Sequence, residues 1–436
     1  MYFSNKLLQK EEIFYLKKCH ASYTVHTSIQ EVGQEWDALV AEQNFLLSTT
    51  YLSSLEQAPP VRMSFCYVKI YAESKDLIGV AYFQIHYFEP DKSLKRTGSL
   101  ASHLVGEDSK ESHCFFHGIH RLVSKYISSK AEFYSVVCGN LLVTGQHGFY
   151  FKPHVSQSYA LEVLASVARK VRSYVEQSEG IKTSMFLFKD IEEYKKSHAL
   201  PLIETRYHEF CTQPNMVLYI APQWASIEDY LNDLQSKYRV RAKSAFKKGS
   251  SIEQKNFSVE DIKHYRTKIH QLYTDITDNA DFNAVQLPPH YFETLKAGLG
   301  NKFNFYAYFH GSELVAFRTS IINLDQLEAH FVGYSSSLNH EYQLYFNILL
   351  DYLEEGITQQ CKKVIYARTA LEIKSSVGAV SENIYCYVRH KRSVINQLLK
   401  PLLDRLNPKV EWLPRSPFKG EISQQNLAEV PLSSKA

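Results

Sequence analysis

Two stretches of the chain repeat one alternation of aromatic and polar positions. Residues 65–85 read FCYVKIYAESKDLIGVAYFQI and residues 303–321 read FNFYAYFHGSELVAFRTSI. Each is an aromatic strand, a polar turn, an acidic residue, then Leu-(Ile/Val)-(Gly/Ala) opening a second strand, so Asp76-Leu77-Ile78-Gly79 matches Glu313-Leu314-Val315-Ala316. Period-two patterning rich in aromatic and β-branched residues predicts a strand hairpin in both places. Helical spacing follows at 159–177 ahead of the strand MFLFKDI, and again at 341–357 ahead of VIYARTA. A repeat this long is a duplicated domain, since solenoid units have far shorter periods.

Between the copies, residues 226–249 predict one helix. Ser226 is an N-cap with Asp229 at the reciprocal position, Gly249 ends the segment, and Ile227, Tyr230, Leu231, Leu234, Tyr238, Ala242 and Ala245 share one face. Six cations and no acids lie between Lys237 and Lys248. Arg239, Lys243 and Lys247 form a stripe away from the apolar face and read as a solvated surface, whereas Lys237, Arg241 and Lys248 border the buried face. Arg241 is the cation best placed to look inward, toward a phosphate or carboxylate held between the domains.

The chemistry-bearing residues concentrate after residue 314. With Asn323-Leu324-Asp325 as the hairpin loop, Ser320 lies opposite Glu328 and Arg318 opposite His330, which puts four polar side chains on one strand face. Such a face either lines a wet cleft or closes on internal partners. The turn Gly333-Tyr334-Ser335-Ser336-Ser337 with Asn339 then leads into an amphipathic helix, where small donors precede a helix start. In CKKVIYARTALEIKSSVGA, residues 361–379, a strand breaks into a polar turn carrying Arg368, Thr369, Glu372 and Lys374, and Gly378 closes a short helix. Fixed cations at a strand end suit an anionic ligand through charge-assisted hydrogen bonds, or form ordinary salt bridges in a solvated loop.

Length and composition narrow the field without naming a reaction. The 436 residues, 44% hydrophobic and 22% charged, suit a globular protein of two or three domains. A net charge of +3 is no global field for nucleic acid. Seven cysteines without CxxC or paired Cys/His spacing argue against a disulfide framework and a zinc site, so no metal is expected. No apolar run reaches the length of a membrane span, and the amino terminus lacks an apolar leader core; a cytoplasmic location is expected. The three prolines and the change to extended patterning within 195–225 place the boundary there, giving domains 1–205 and 206–420 and a flexible tail 421–436. EWLPRSPFK just before the tail is expected to pack back on the fold.

The order of these pieces resembles the FemAB-like branch of the GNAT acyltransferase superfamily, the peptidoglycan biosynthesis and recognition group. The residues that carry it are FLSTTYLSSLEQAPP, MSFCYVKIYAESKDLIGVAYFQ, LQSKYRVRAKSAFKKG, YAYFHGSELVAFRTSI, HFVGYSSSLNHEYQLYFNILLDY and ARTALEIKSSVGA. The resemblance implies an α/β (α+β) chain of tandem GNAT-like domains, each a mixed, largely antiparallel sheet flanked by helices, with the active site in the second. It implies an N-acyltransferase moving an acyl group from acyl-coenzyme A to an amine of a small or cell-envelope-precursor molecule, lipid-linked or free. Fem-type transfer from aminoacyl-transfer RNA and a non-catalytic binding protein are the alternatives. Attack on a thioester needs a base, an oxyanion donor and an acid. Glu328 or His330 is assigned as base, a backbone N–H after Gly333 as oxyanion donor and Tyr334 as acid. Arg241, Arg318, Arg368, Thr369 and Lys374 are assigned to substrate, and Gly333, Ser335, Ser336, Ser337 and Asn339 to the cofactor. The glycine-rich Q/R-x-x-G-x-G/A loop of GNAT enzymes is absent.

Overall fold

The computed structural model describes residues 13–88, 133–211, 213–279, 285–406 and 412–420; the 421–436 tail lies outside them. The predicted hairpins form, and each builds a mixed sheet. In the first half the strands are β1 (Phe14–Leu16), β2 (Ala21–His26), β3 (Met63–Ala72), β4 (Leu77–Phe88), β5 (Phe133–Cys138), β6 (Phe149–Phe151), β7 (Thr183–Glu192) and β8 (His208–Phe210). In the second they are β9 (Asn215–Tyr219), β10 (Ile252–Asn256), β11 (Phe303–His310), β12 (Glu313–Asn323), β13 (Gln326–Tyr334), β14 (Lys363–Ala367), β15 (Val380–Glu382) and β16 (Ile384–His390).

Strand order makes the duplication explicit. The first sheet runs β1-β2-β3-β4-β5-β7-β16-β8, with β6 beside β4, and the second runs β10-β11-β12-β13-β14-β9-β15. Among the described strands only β5 with β7 and β13 with β14 pair in parallel. Gly79 faces Ile70 beside a bulge, and Ala316 faces Tyr308 beside the matching bulge, so the two occupy equivalent sites.

The halves exchange a strand. After β8 the chain crosses into the second sheet as β9, between β14 and β15; after β15 it crosses back as β16, between β7 and β8. A division at 205/206 therefore does not follow the sheets, because β8 and β16 complete the first one. An extended crossing at 195–225 was readable from the sequence, but its destination depends on pairing partners more than 140 residues away.

One hydrophobic core lies between the halves. Trp36, Tyr51, Tyr67 and Tyr82 pack there with Phe292, Phe305 and Phe317, while each half keeps its own core around the helices Gln157–Ser178 and Leu344–Thr358. The 226–249 segment forms with its capping box, yet splits into helices Ile227–Asp233 and Ser236–Lys248. Leu234 is extended because it bridges to Phe418 of the C-terminal arm. That arm packs back as expected: Phe418 is buried against Trp224 and Tyr230, and a Cβ on Gly378 would lie 2.4 Å from its ring.

Candidate functional site

The β12–β13 hairpin has a two-residue loop, with Asn323 paired to Gln326 and Leu324 at φ 58°. The expected loop was one residue longer, and a slip of one residue sends side chains to opposite faces. Ser320 thus faces Ala329 and Arg318 faces Val332. Arg318 and Ser320 turn toward the helix Leu344–Thr358, where Arg318 pairs with Glu355 and donates to Tyr308 Oη at 2.9 Å. Glu355 also accepts from Ser320 Oγ at 2.5 Å and Asn304 Nδ2 at 2.7 Å. Arg318, 2% exposed, is a structural ion-pair residue and has no surface left for substrate.

Glu328 and His330 take the other face, toward the core between the halves. His330 sits against Tyr291, Phe303 and Phe331, its ring nitrogens 3.2 Å from Tyr291 Oη and from Thr319 Oγ1, and burial pushes its pKa down to about 3. Neither residue lines either of the two grooves described below, and the strand face expected to carry a base in a cleft is divided, with Glu328 buried and His330 half-buried. Tyr334 packs against Tyr345 with the ring planes tilted by 34°, and burial raises its hydroxyl pKa.

In the expected cofactor loop only the glycine is packed away, while Ser336 and Ser337 are exposed. A Cβ on Gly333 would lie 2.3 Å from the Phe317 ring, so this glycine serves packing. Ser336–Tyr342 is a short helix of its own, with Ser335 as N-cap and its hydroxyl 2.9 Å from that of Ser337. Asn339 Oδ1 accepts from Tyr345 N at 2.9 Å, which closes the start of the following helix.

The turn after β14 is backbone architecture. Ala367, Thr369 and Ala370 all have positive φ, an unusual run for residues with a Cβ. Lys374 Nζ holds it together by donating to the carbonyls of Tyr366, Ala367 and Arg368 at 2.7, 3.3 and 2.6 Å. An ammonium has three donors for these three acceptors, while burial pushes the amine down to about 7. Thr369 is exposed, its N–H donating to Gln213. Arg368 reaches across to the first half and pairs with the fully buried Asp190. Burial acts to raise the Asp190 carboxyl, but Lys189 and Arg368 outweigh it and hold the pKa below the ordinary value. Val137 pairs with Leu187 as Glu328 pairs with Ile365, so Asp190 and Arg368 stand at equivalent positions of the two copies. Arg368 and Lys374 are thus committed to internal partners.

The groove that the sequence reading missed lies in the first half. Along β4, β5 is succeeded by β6, but only β5 reaches β7. Between them residues 139–148 loop out, and their ends touch: a Cβ on Gly148 would lie 2.5 Å from Gly139 N, and Gly139 has φ 147°. Beside the unpaired edge of β6 is a cavity of about 200 Å³, lined by Phe149, Phe151, Lys152, Gln157, Ile191 and Lys195 among others. The 22-residue helix Gln157–Ser178 starts at its rim, capped by Ser156. Gln146 also lines the groove and accepts from Lys195 Nζ at 3.4 Å. Three glycines within ten residues after a strand, in CGNLLVTGQHG, were the available sequence signal.

His147, next in the chain, turns inward with Nε2 3.9 Å from Glu328 Oε1 and Nδ1 3.1 Å from Asn44 Nδ2. Burial lowers its pKa to about 4 and raises that of Glu328 to about 7, with Asn323, Lys363 and Lys189 partly offsetting the latter. A carboxyl raised in the fold favours folding at pH below the usual carboxylate range, and that contribution is lost as pH rises through about 7. Glu328→Gln should therefore gain stability over the parent between pH 4.5 and pH 8, by about 3 kcal/mol in all. Urea unfolding at the two pH values measures this; a difference independent of pH would rule the raised carboxyl out.

Arg241 does not face the first half but lies within the second. With Lys237, Lys248, Ser244 and Gln343 it lines a second groove, of about 350 Å³. Among the described residues no His, Cys, Asp and Glu cluster is arranged for a metal, and no helix is long and apolar enough to cross a membrane.

No family model matches the chain, and no curated protein matches it. In fold it is similar to solved structures of FemX (11% identity, 86% of this chain and 99% of that one, TM-score 0.47) and of a tandem GNAT protein from the clavulanic acid biosynthesis pathway (8%, 85% and 98%, TM-score 0.48). It is likewise similar to L-PGS from Bacillus licheniformis (11%, 81% and 95%, TM-score 0.41).

Proposed function

We propose that the chain is an acyltransferase that takes an acyl group from acyl-coenzyme A to an amine, with the donor held in the first half. The observation that carries this is the gap between β6 and the end of β7, where β6 pairs with β4 on one side only. An unpaired strand edge offers alternating N–H and C=O groups to an extended ligand bearing amides, as the pantetheine arm does. The cavity admits a slender chain. At its rim the start of a long helix, with Lys152, favours phosphate. In transfer, the amine attacks the thioester carbonyl, the C–N bond forms, the C–S bond breaks, and the thiol leaves. The proton given up by the amine goes to the departing thiolate or to water.

Calorimetric titration of acetyl-coenzyme A tests this. Val155→Trp, which fills the groove mouth, should weaken binding about tenfold or more, and Ser336→Trp in the second half should leave it unchanged. The reverse pattern would place the donor in the second half and overturn the assignment.

A further inference from the structure

The two copies differ at one end of their sheets. Tyr23 of β2 faces Ile70, which faces Gly79, and Gln254 of β10 faces Tyr308, which faces Ala316. β2 and β10 are therefore equivalent strands. In the first half β1 lies antiparallel along Ala21–Tyr23 and covers that edge. The matching stretch of the second half, Ile252–Gln254, is preceded by the helix Ser236–Lys248 and the turn Gly249–Ser251, so no strand folds back on it, and among the described residues β10 ends its sheet. The other terminal strands, β1, β8 and β15, have three residues each, whereas β10 has five, four of them exposed. Shortness is one way in which an edge strand avoids pairing with other chains, and β10 does not use it.

The hydrogen-bonding groups and charges of β10 fit one occupant. Phe257 N donates to Phe305 O, so by antiparallel alternation Glu253 and Lys255 bond β11, while Ile252, Gln254 and Asn256 turn their backbone groups outward. Glu253 and Lys255 share one face, their charged groups 3.1 Å apart and well exposed, and the Gln254 side chain takes the other face, reaching Tyr308 Oη at 3.3 Å. We propose that β10 pairs with β10 of a second copy of this chain, antiparallel about a two-fold axis at Gln254, giving a homodimer whose sheet continues across the interface. That register sets Ile252 against Asn256 of the second copy and, on both sides of the axis, Glu253 against Lys255. Centring the axis on Glu253 or on Lys255 sets like charges directly opposite each other, which disfavours those registers. The strand is thus self-complementary in charge, and an edge-seeking peptide of unrelated sequence leaves both charges without matched partners.

Sedimentation velocity of the whole chain over a wide range of concentration tests this, and the result does not depend on the acyl-donor reading. The parent should pass from monomer to dimer as concentration rises. Q254P removes an outward N–H and spares the β11 ladder, so it should stay monomeric while still unfolding cooperatively in urea. E253K and K255E, at exposed positions, should each weaken self-association by about tenfold or more. Mixing these two variants should restore a dimer, because each strand then meets two charges of the opposite sign, and E253K/K255E in one chain should associate as the parent does. A parent that remains monomeric throughout, a dimer that Q254P leaves intact, or single variants whose mixture does not associate overturns the proposal.

Discussion

Expressed alone, residues 1–205 should fail to fold, giving an aggregating chain without cooperative unfolding. The fragment ends before β8 and β16, so the inner edge of β7 loses its neighbour along Met185–Glu192. Exposed strand edges of this length pair with other chains. The loss extends to packing, since Tyr387 of β16 is fully buried in the first half's core and Ile384 is 3% exposed. Each large apolar side chain withdrawn from a core costs about 1.5 to 3 kcal/mol, against a total stability of about 5 to 15 kcal/mol. The core between the halves is stripped as well. Circular dichroism melts of the fragment, with and without residues 206–436 added, measure this. A fragment that melts cooperatively at the temperature of the whole chain would contradict the exchanged-strand account.

Glu355→Ala should be the most damaging single substitution in the second half, at about 3 to 5 kcal/mol, the usual cost of removing one partner of a buried ion pair. It would leave Arg318, Ser320 and Asn304 with donors aimed at an empty site. Asp351, which burial pushes up to about 6 against the pull of Arg318, is the other carboxylate beside the guanidinium among the described residues. Adding Arg318→Met to a Glu355→Leu background should recover part of the loss, because the buried charge is then gone. Urea unfolding decides it: a cost under about 1 kcal/mol for Glu355→Ala would return Arg318 to the pool of ligand-binding candidates.

What the sequence made legible was local. Hairpins, caps and helix faces follow from spacing, and the matching of Gly79 with Ala316 survived because both copies keep the same bulge. The polar face of β12 and β13 did not survive, since it hung on a loop length: with Asn323 paired instead of looped, Arg318 and Glu328 part company. Arg368 and Lys374 looked available because their partners, Asp190 and three carbonyls of their own turn, are set by the crossing of the halves and by positive φ angles that no spacing announces. The first-half groove was overlooked for a similar reason. Its walls come from β6, the end of β7 and a helix start, brought together only when residues 139–148 loop out.

The central claim is that an acyl donor lies along β6, and a crystal structure grown with coenzyme A tests it most directly. The account predicts the pantetheine arm hydrogen-bonded to the backbone of Phe149 and Phe151, with its phosphates by Lys152 and the first turn of Gln157–Ser178. Coenzyme A bound instead between β13 and β14, beside Ser335–Asn339, would contradict it.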